Sequence, residues 1–440
     1  MLTDLLLSAS IIVFAGGFAF LTTRRWDVSP APFMVVAAVL ILVGLSTQLA
    51  ASPFYLGLFD GPYYLEWAFA ISEAWRDGQP WSGRVIWPGK GVWPLMIAVV
   101  NYSFGPVLVA VIVINALVFA FSIVLLQQTT VLLFDVRPKW TIIALALTSS
   151  PVLLNAPTVL REAIFWFGIS AGILAITYLY RASFARGVAF LLLSALVVLG
   201  IRPNLGVVIA YLLVAAAIAI WALRRESMSI SRMFVGSTLF AVLCATFFPT
   251  FFALTAIGDI EERVSIVATG LATGGGVTTA LGESSEVSEL PGFVCDSASY
   301  VRLFCDSLAR LPFLMFGPFL WEIGPEPVWI LVVTSTLHFL FLLTTSVLLL
   351  LKKSNRNIAS LSLLGLSLAT MVVLAAVMTN YGIIIRFRVV AELFLLPLSL
   401  AFILGLRGDG LGIFHLGQIR DIGRGRAKRR AEVIISGCAS

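Results

Sequence analysis

The chain has 440 residues, of which 60% are hydrophobic and 12% charged, and its mean hydropathy is +1.01. Soluble domains are about half apolar and about a quarter charged, so this composition excludes a soluble enzyme and a nucleic-acid-binding domain and puts the chain in a membrane. The formal charge of +6 informs through its distribution, and four cysteines with two histidines leave little material for a metal cage, a redox pair or a disulfide scaffold.

Apolar runs close to the roughly 20 residues that cross a bilayer begin with Leu5–Thr22, Phe33–Ala51, Val107–Gln128, Trp140–Asn155, Ala163–Tyr180 and Gly187–Ile201. They continue with Leu205–Leu223, Met233–Ile257, Val328–Leu351, Ile358–Thr379 and Val389–Leu406. The spacing predicts an all-α polytopic membrane protein of about 11 transmembrane helices.

Asp4 precedes the first run and Arg24 and Arg25 follow it, the reverse of a signal peptide's charge order, so the run is read as a retained helix with its N-terminus outside. Alternating from there, the basic clusters Arg24/Arg25, Arg137/Lys139, Arg181/Arg186, Arg224/Arg225/Arg232 and Lys352/Lys353/Arg356 all fall in the cytoplasm, as the positive-inside rule requires. Counting the apolar stretch Gly91–Gly105 as a span would break that order. It is therefore read as a juxtamembrane or re-entrant helix on the outer face. The expected organisation is one transmembrane domain, 1–406, followed by a basic cytoplasmic tail, 407–440, whose arginines either anchor it or bind anionic lipid.

Two outer segments are long, about 52–105 and 258–327, a length that marks functional or mobile loops. The first is rich in Trp and Tyr, which settle at the headgroup level, and contains Asp60-Gly61-Pro62-Tyr63-Tyr64-Leu65-Glu66-Trp67. Asp60 reads either as the N-cap of a helix or as a carboxylate of a site at the membrane boundary. In the second, Thr269–Glu289 is polar and expected to be mobile, and Cys295 and Cys305 either form a disulfide or stay as thiols. Cys244, Cys438, His338 and His415 carry no functional signal on this reading.

Arginines on the outer face run against the positive-inside bias. Arg161 with Glu162 stands at the start of the fifth span, Arg202-Pro203-Asn204 forms the turn between the sixth and seventh, and Arg386 and Arg388 open the last. Snorkelling explains one such residue less strainedly than it explains several sets. A guanidinium matches phosphate geometry with two parallel donors, which points to a polyprenyl-phosphate or diphosphate headgroup. Arg161 and Glu162 pair either with each other or with a neighbour, making Glu162 an orienter of arginine or a second acid.

The pattern resembles the GT-C superfamily of integral-membrane glycosyltransferases, in the bacterial exopolysaccharide and cell-wall branch. The residues that carry the resemblance are Asp60 with Tyr63 and Tyr64, Phe104-Gly105 ahead of a span with Asn115, Leu160-Arg161-Glu162, Pro312 through Gly317-Pro318-Phe319-Leu320-Trp321-Glu322, and Arg386-Phe387-Arg388. It implies a multi-pass protein of the bacterial plasma membrane that moves a sugar, with inversion, from a polyprenyl-phosphate carrier to a glycan, lipid or protein acceptor on the outer face. Asp60, with Glu66 as the next acid, would be catalytic. Arg386, Arg388, Arg161 and Arg202 would hold the carrier phosphate, with Glu162, Tyr63 and Tyr64 in support. Many relatives have two adjacent acids in the loop, whereas here Gly61 follows Asp60, which argues against a divalent metal.

The chemistry stands without the name, since transfer from a lipid-linked sugar needs a carboxylate for the acceptor proton and positive charge for the departing phosphate. An O-antigen polymerase or ligase acting on polyprenyl-diphosphate glycans uses a similar inventory, and would lean on Arg263, Arg302 and Arg310. A transporter of lipid-linked sugars comes third, because no inverted repeat is visible, although Pro151, Pro157 and Pro249 interrupt spans, and the charges are expected at one face, away from the midplane.

Overall fold

The computed structural model describes residues 2–50, 60–79, 92–223, 310–317, 328–352, 355–377 and 381–407. The expected span Met233–Ile257, the Thr269–Glu289 segment, Cys295, Cys305, Arg263, Arg302, Pro318–Glu322 and the tail beyond Arg407 lie outside them.

The described residues are helical and include no strand. Long runs of Leu, Ile, Val, Ala and Phe leave the backbone without water in lipid, and a helix satisfies its N–H and C=O groups internally. The helices are α1 (Leu2–Trp26), α2 (Ala31–Ala50), α3 (Asp60–Arg76), α4 (Val92–Phe104), α5 (Val109–Phe134), α6 (Trp140–Thr148) and α7 (Ser150–Asn155). Then come α8 (Glu162–Tyr180), α9 (Phe184–Ile201), α10 (Pro203–Leu223), α11 (Val328–Leu351), α12 (Ile358–Val377) and α13 (Tyr381–Arg407), with a short helical stretch at 310–316. Seven of them, α1, α5, α8, α9, α11, α12 and α13, are long and apolar enough to cross a membrane. α2 and α10 add apolar stretches at Ala31–Thr47 and Leu205–Trp221.

α5 and α8 form the centre. Most of each is buried, whereas the apolar surface of α1 is largely exposed, as a lipid-facing helix on the rim should be. Asp4 fixes the direction of α1, because its carboxylate accepts from the N–H groups of Leu108, Val109 and Ala110 at 2.9 to 3.1 Å. These are orphan donors at the start of α5, so the N-termini of α1 and α5 lie together. At their other ends Arg137 pairs with Asp27 at 2.5 Å, and Arg181 Nε donates to Leu132 O at 2.5 Å. α1, α5 and α8 therefore run in one direction. Contacts that advance together along both helices, Thr336 with Arg388, His338 with Glu392 and Thr345 with Ser399, put α11 and α13 in parallel too.

One expected span is corrected. Trp140–Asn155 is not a continuous helix but α6 and α7, broken at Ser149, whose backbone is extended (φ −75°, ψ 103°). Pro151 is the physical reason: it has no N–H to give to Leu147 O, and its ring collides with that carbonyl in a straight helix. The stretch expected as a juxtamembrane helix is α4, 13 residues long. At 1.5 Å per residue it reaches about 20 Å, short of the roughly 30 Å of hydrocarbon. It lies beside α3 in the same direction, with Arg76 Nη2 donating to Asn101 O at 2.6 Å at their C-terminal ends.

The tight turn from α9 to α10 depends on Gly206, where an added Cβ would collide with the Val198 carbonyl. A close approach of this kind admits only glycine, and it sets Arg202 at the tip of the turn.

Candidate functional site

The loop from α7 to α8, residues 156–161, folds back into the bundle. Asn115 Nδ2, six residues into α5, donates to the carbonyls of Thr158 and Leu160, the latter at 2.7 Å. Six residues correspond to about 9 Å of helix, so this loop sits that far below the first residue of α5. Trp93 Nε1, at the head of α4, donates to Val159 O at 2.5 Å. Both bonds satisfy carbonyls that would otherwise be buried without a donor, and they hold Arg161 and Glu162 in place.

Glu162 is the centre of the cluster. Its Oε1 accepts from Arg202 Nη2, an ion pair in which Glu162 is 3% and Arg202 14% exposed. Arg386 and Arg161 are the next positive charges around that carboxylate. Arg161 Nη1 also donates to Ile201 O at 2.9 Å and lies over the Tyr64 ring, 6.0 Å from its centroid. Arg202 lies 4.7 Å from the centroid of Phe387. Three guanidinium groups, from α8's start, the α9–α10 turn and α13, thus act on one glutamate, Arg202 by direct contact and Arg386 and Arg161 through their charge. They do so where α8 and α10 begin, ends whose free N–H groups add positive potential.

Of the residues expected at a site, Arg161, Glu162, Arg202, Arg386 and Tyr64 meet here. Arg388 faces another way: wholly buried, it donates to Leu314 O and to Thr336 Oγ1, and packs over Phe339. Glu66 is exposed, on the opposite side of α3 from Tyr64. Asp60 is the first residue of α3, four residues before Tyr64, and the side chains of Asp60 and Tyr63 lie outside the description. Among the described residues no group of three or more His, Cys, Asp or Glu side chains is placed to hold a metal.

A second polar cluster was not expected. Glu392 on α13, His338 on α11 and Ser149 at the α6–α7 break meet inside the bundle, with Glu392 and His338 both buried. This corrects the expectation that the charges keep to one face, and it sets a histidine that carried no signal in the sequence beside a buried acid. The available signal was an ionisable residue inside each of two spans, which is costly in lipid and functional by default.

No family model, curated protein or solved structure matches this chain.

Proposed function

We propose that the chain is a membrane glycosyltransferase that moves a sugar from a polyprenyl-phosphate carrier to a cell-envelope glycan, lipid or protein acceptor at the outer face of the bacterial plasma membrane. The observation that supports this reading is the gathering of Arg161, Arg202 and Arg386, far apart in sequence, around Glu162 at one end of the bundle. Arginine is costly there and is suited to a lipid phosphate. Glu162 orients Arg202, and the carrier phosphate adds the anionic charge that a cluster of three arginines and one glutamate favours.

As the sugar leaves, negative charge develops on the lipid phosphate, and preorganised guanidinium groups stabilise it without reorganisation. Such a leaving group needs no protonating acid. The acceptor hydroxyl does need a base, and Asp60 is assigned that role. Its backbone is one turn from Tyr64, about 6 Å along α3, and Tyr64 underlies Arg161.

The test is transfer by purified protein in lipid, supplied with a panel of polyprenyl-phosphate sugars, with wild type beside Asp60→Asn. Release of free polyprenyl phosphate by wild type alone supports the proposal. Equal release by Asp60→Asn removes Asp60 as the base. No release from any monophosphate donor, with binding of a polyprenyl-diphosphate glycan, replaces the proposal with a polymerase or ligase.

A further inference from the structure

The break in α6–α7 lies within the bundle, where backbone groups freed from a helix must find partners. Leu145 O is such a carbonyl, and His338 Nε2 lies 3.0 Å from it. A carbonyl only accepts, so Nε2 carries a hydrogen. The other ring nitrogen, Nδ1, lies 3.1 Å from Glu392 Oε2, and the same oxygen accepts from Ser149 Oγ at 3.0 Å.

This arrangement fixes a proton count. A neutral imidazole with its hydrogen on Nε2 presents a lone pair at Nδ1, and an ionised carboxylate presents another. At 3.1 Å two lone pairs in a low dielectric repel. One proton between them, on Nδ1 or on Oε2, removes that repulsion and lets the two groups close into a hydrogen bond.

We propose that Glu392, His338 and Ser149 form an intramembrane site for one proton, and that this proton latches the α6–α7 break onto α11 and α13. The site is at depth: Glu392 is six residues into α13 from Arg386, about 9 Å along the axis, and His338 is ten residues into the 24-residue α11. A cavity of about 20 Å³ adjoins the pair, room for one water molecule. Its walls from α5, α6 and α7 bring no titratable group, α11 brings only His338, and α13 only Glu392. Nearby, Arg388 stands one turn up α13 with its hydrogen bonds on Thr336 and Leu314, α12 carries no ionisable residue, and Glu162 at the start of α8 is taken up by Arg202 at the level of Arg386, about two turns up α13. When the proton leaves, charge and lone pair face each other and the break loosens on the His338–Glu392 side, while Ser150 still holds it to α11 through Leu331 O and Thr334 Oγ1.

The chain holds two histidines, so ¹⁵N-histidine labelling of full-length His415→Gln protein in lipid nanodiscs gives one signal set, from His338. The expected result is an Nδ1 resonance of a protonated or hydrogen-bonded nitrogen. It should show one pH transition, and that transition should be lost in Glu392→Gln. Amide hydrogen exchange over 145–155, corrected for its intrinsic pH dependence, should rise once the transition is passed. A bare, unbonded Nδ1 resonance at every pH where the protein stays folded overturns the site, and needs no further variant to fold. A transition unchanged by Glu392→Gln overturns the assignment to Glu392, and exchange that does not follow the transition overturns the latch.

Discussion

Removing Glu162 should damage the protein more than removing Arg202, although the two form one ion pair. Glu162 is 3% exposed and has three arginines around it, so Glu162→Ala leaves Arg161, Arg202 and Arg386 facing one another with their shared carboxylate gone. Taking one partner from a buried pair costs about 3 to 5 kcal/mol. Arg202→Ala leaves Glu162 with Arg161 and Arg386, so the loss is that of one charged hydrogen bond, about 1.5 to 3 kcal/mol. Thermal unfolding in lipid nanodiscs ranks the variants, and Glu162→Ala should melt lowest. If the cluster holds a lipid phosphate, polyprenyl phosphate at about 100 times its Kd should restore about 2.7 kcal/mol to Glu162→Ala. An Arg202→Ala that melts at or below Glu162→Ala, or a Glu162→Ala that the lipid does not rescue, refutes the argument.

Other expectations follow from single contacts. Asn115→Leu removes the donor to Thr158 O and Leu160 O and leaves two buried carbonyls unsatisfied, at about 1 to 3 kcal/mol each; nanodisc melting should fall and carrier affinity should fall with it. Asp4→Ala removes the cap on three N–H groups of α5, worth about 1 to 2 kcal/mol, and should lower the melting temperature while leaving KM for the donor unchanged. Arg386→Ala should raise KM for a polyprenyl-phosphate donor more than it lowers kcat, and a kcat loss alone would argue against ground-state phosphate binding.

Some of this architecture is legible in the sequence because the bilayer imposes simple rules. Arg161, Arg202 and Arg386 stand out as cations at the ends of apolar runs, and the three do converge on Glu162. The 13 residues of α4 can be recognised as too short to span, and the basic clusters at the ends of α1, α5 and α8 come together at the opposite end of the bundle. Other features depend on register between distant helices. The cap of α5 by Asp4 joins residues more than 100 positions apart. His338 and Glu392 become a pair only because α11 packs against α13 in this register, and nothing in either span alone specifies that. Pro151 is legible as an interruption of its span, although a hydropathy window averages it away and the extended residue, Ser149, shows only in the structure. Arg386 and Arg388 look equivalent in sequence, yet two residues on a helix differ by about 200°, so only Arg386 faces Glu162.

The most direct test of the arginine cluster as a lipid-phosphate site is photo-crosslinking with a polyprenyl phosphate whose first isoprene carries a photoreactive group. Crosslinked peptides should map to the start of α8, the α9–α10 turn and the start of α13, and should fade when unlabelled polyprenyl phosphate competes. Crosslinks confined to the opposite end of the bundle, or to the rim of α1 with no competition, would contradict the account.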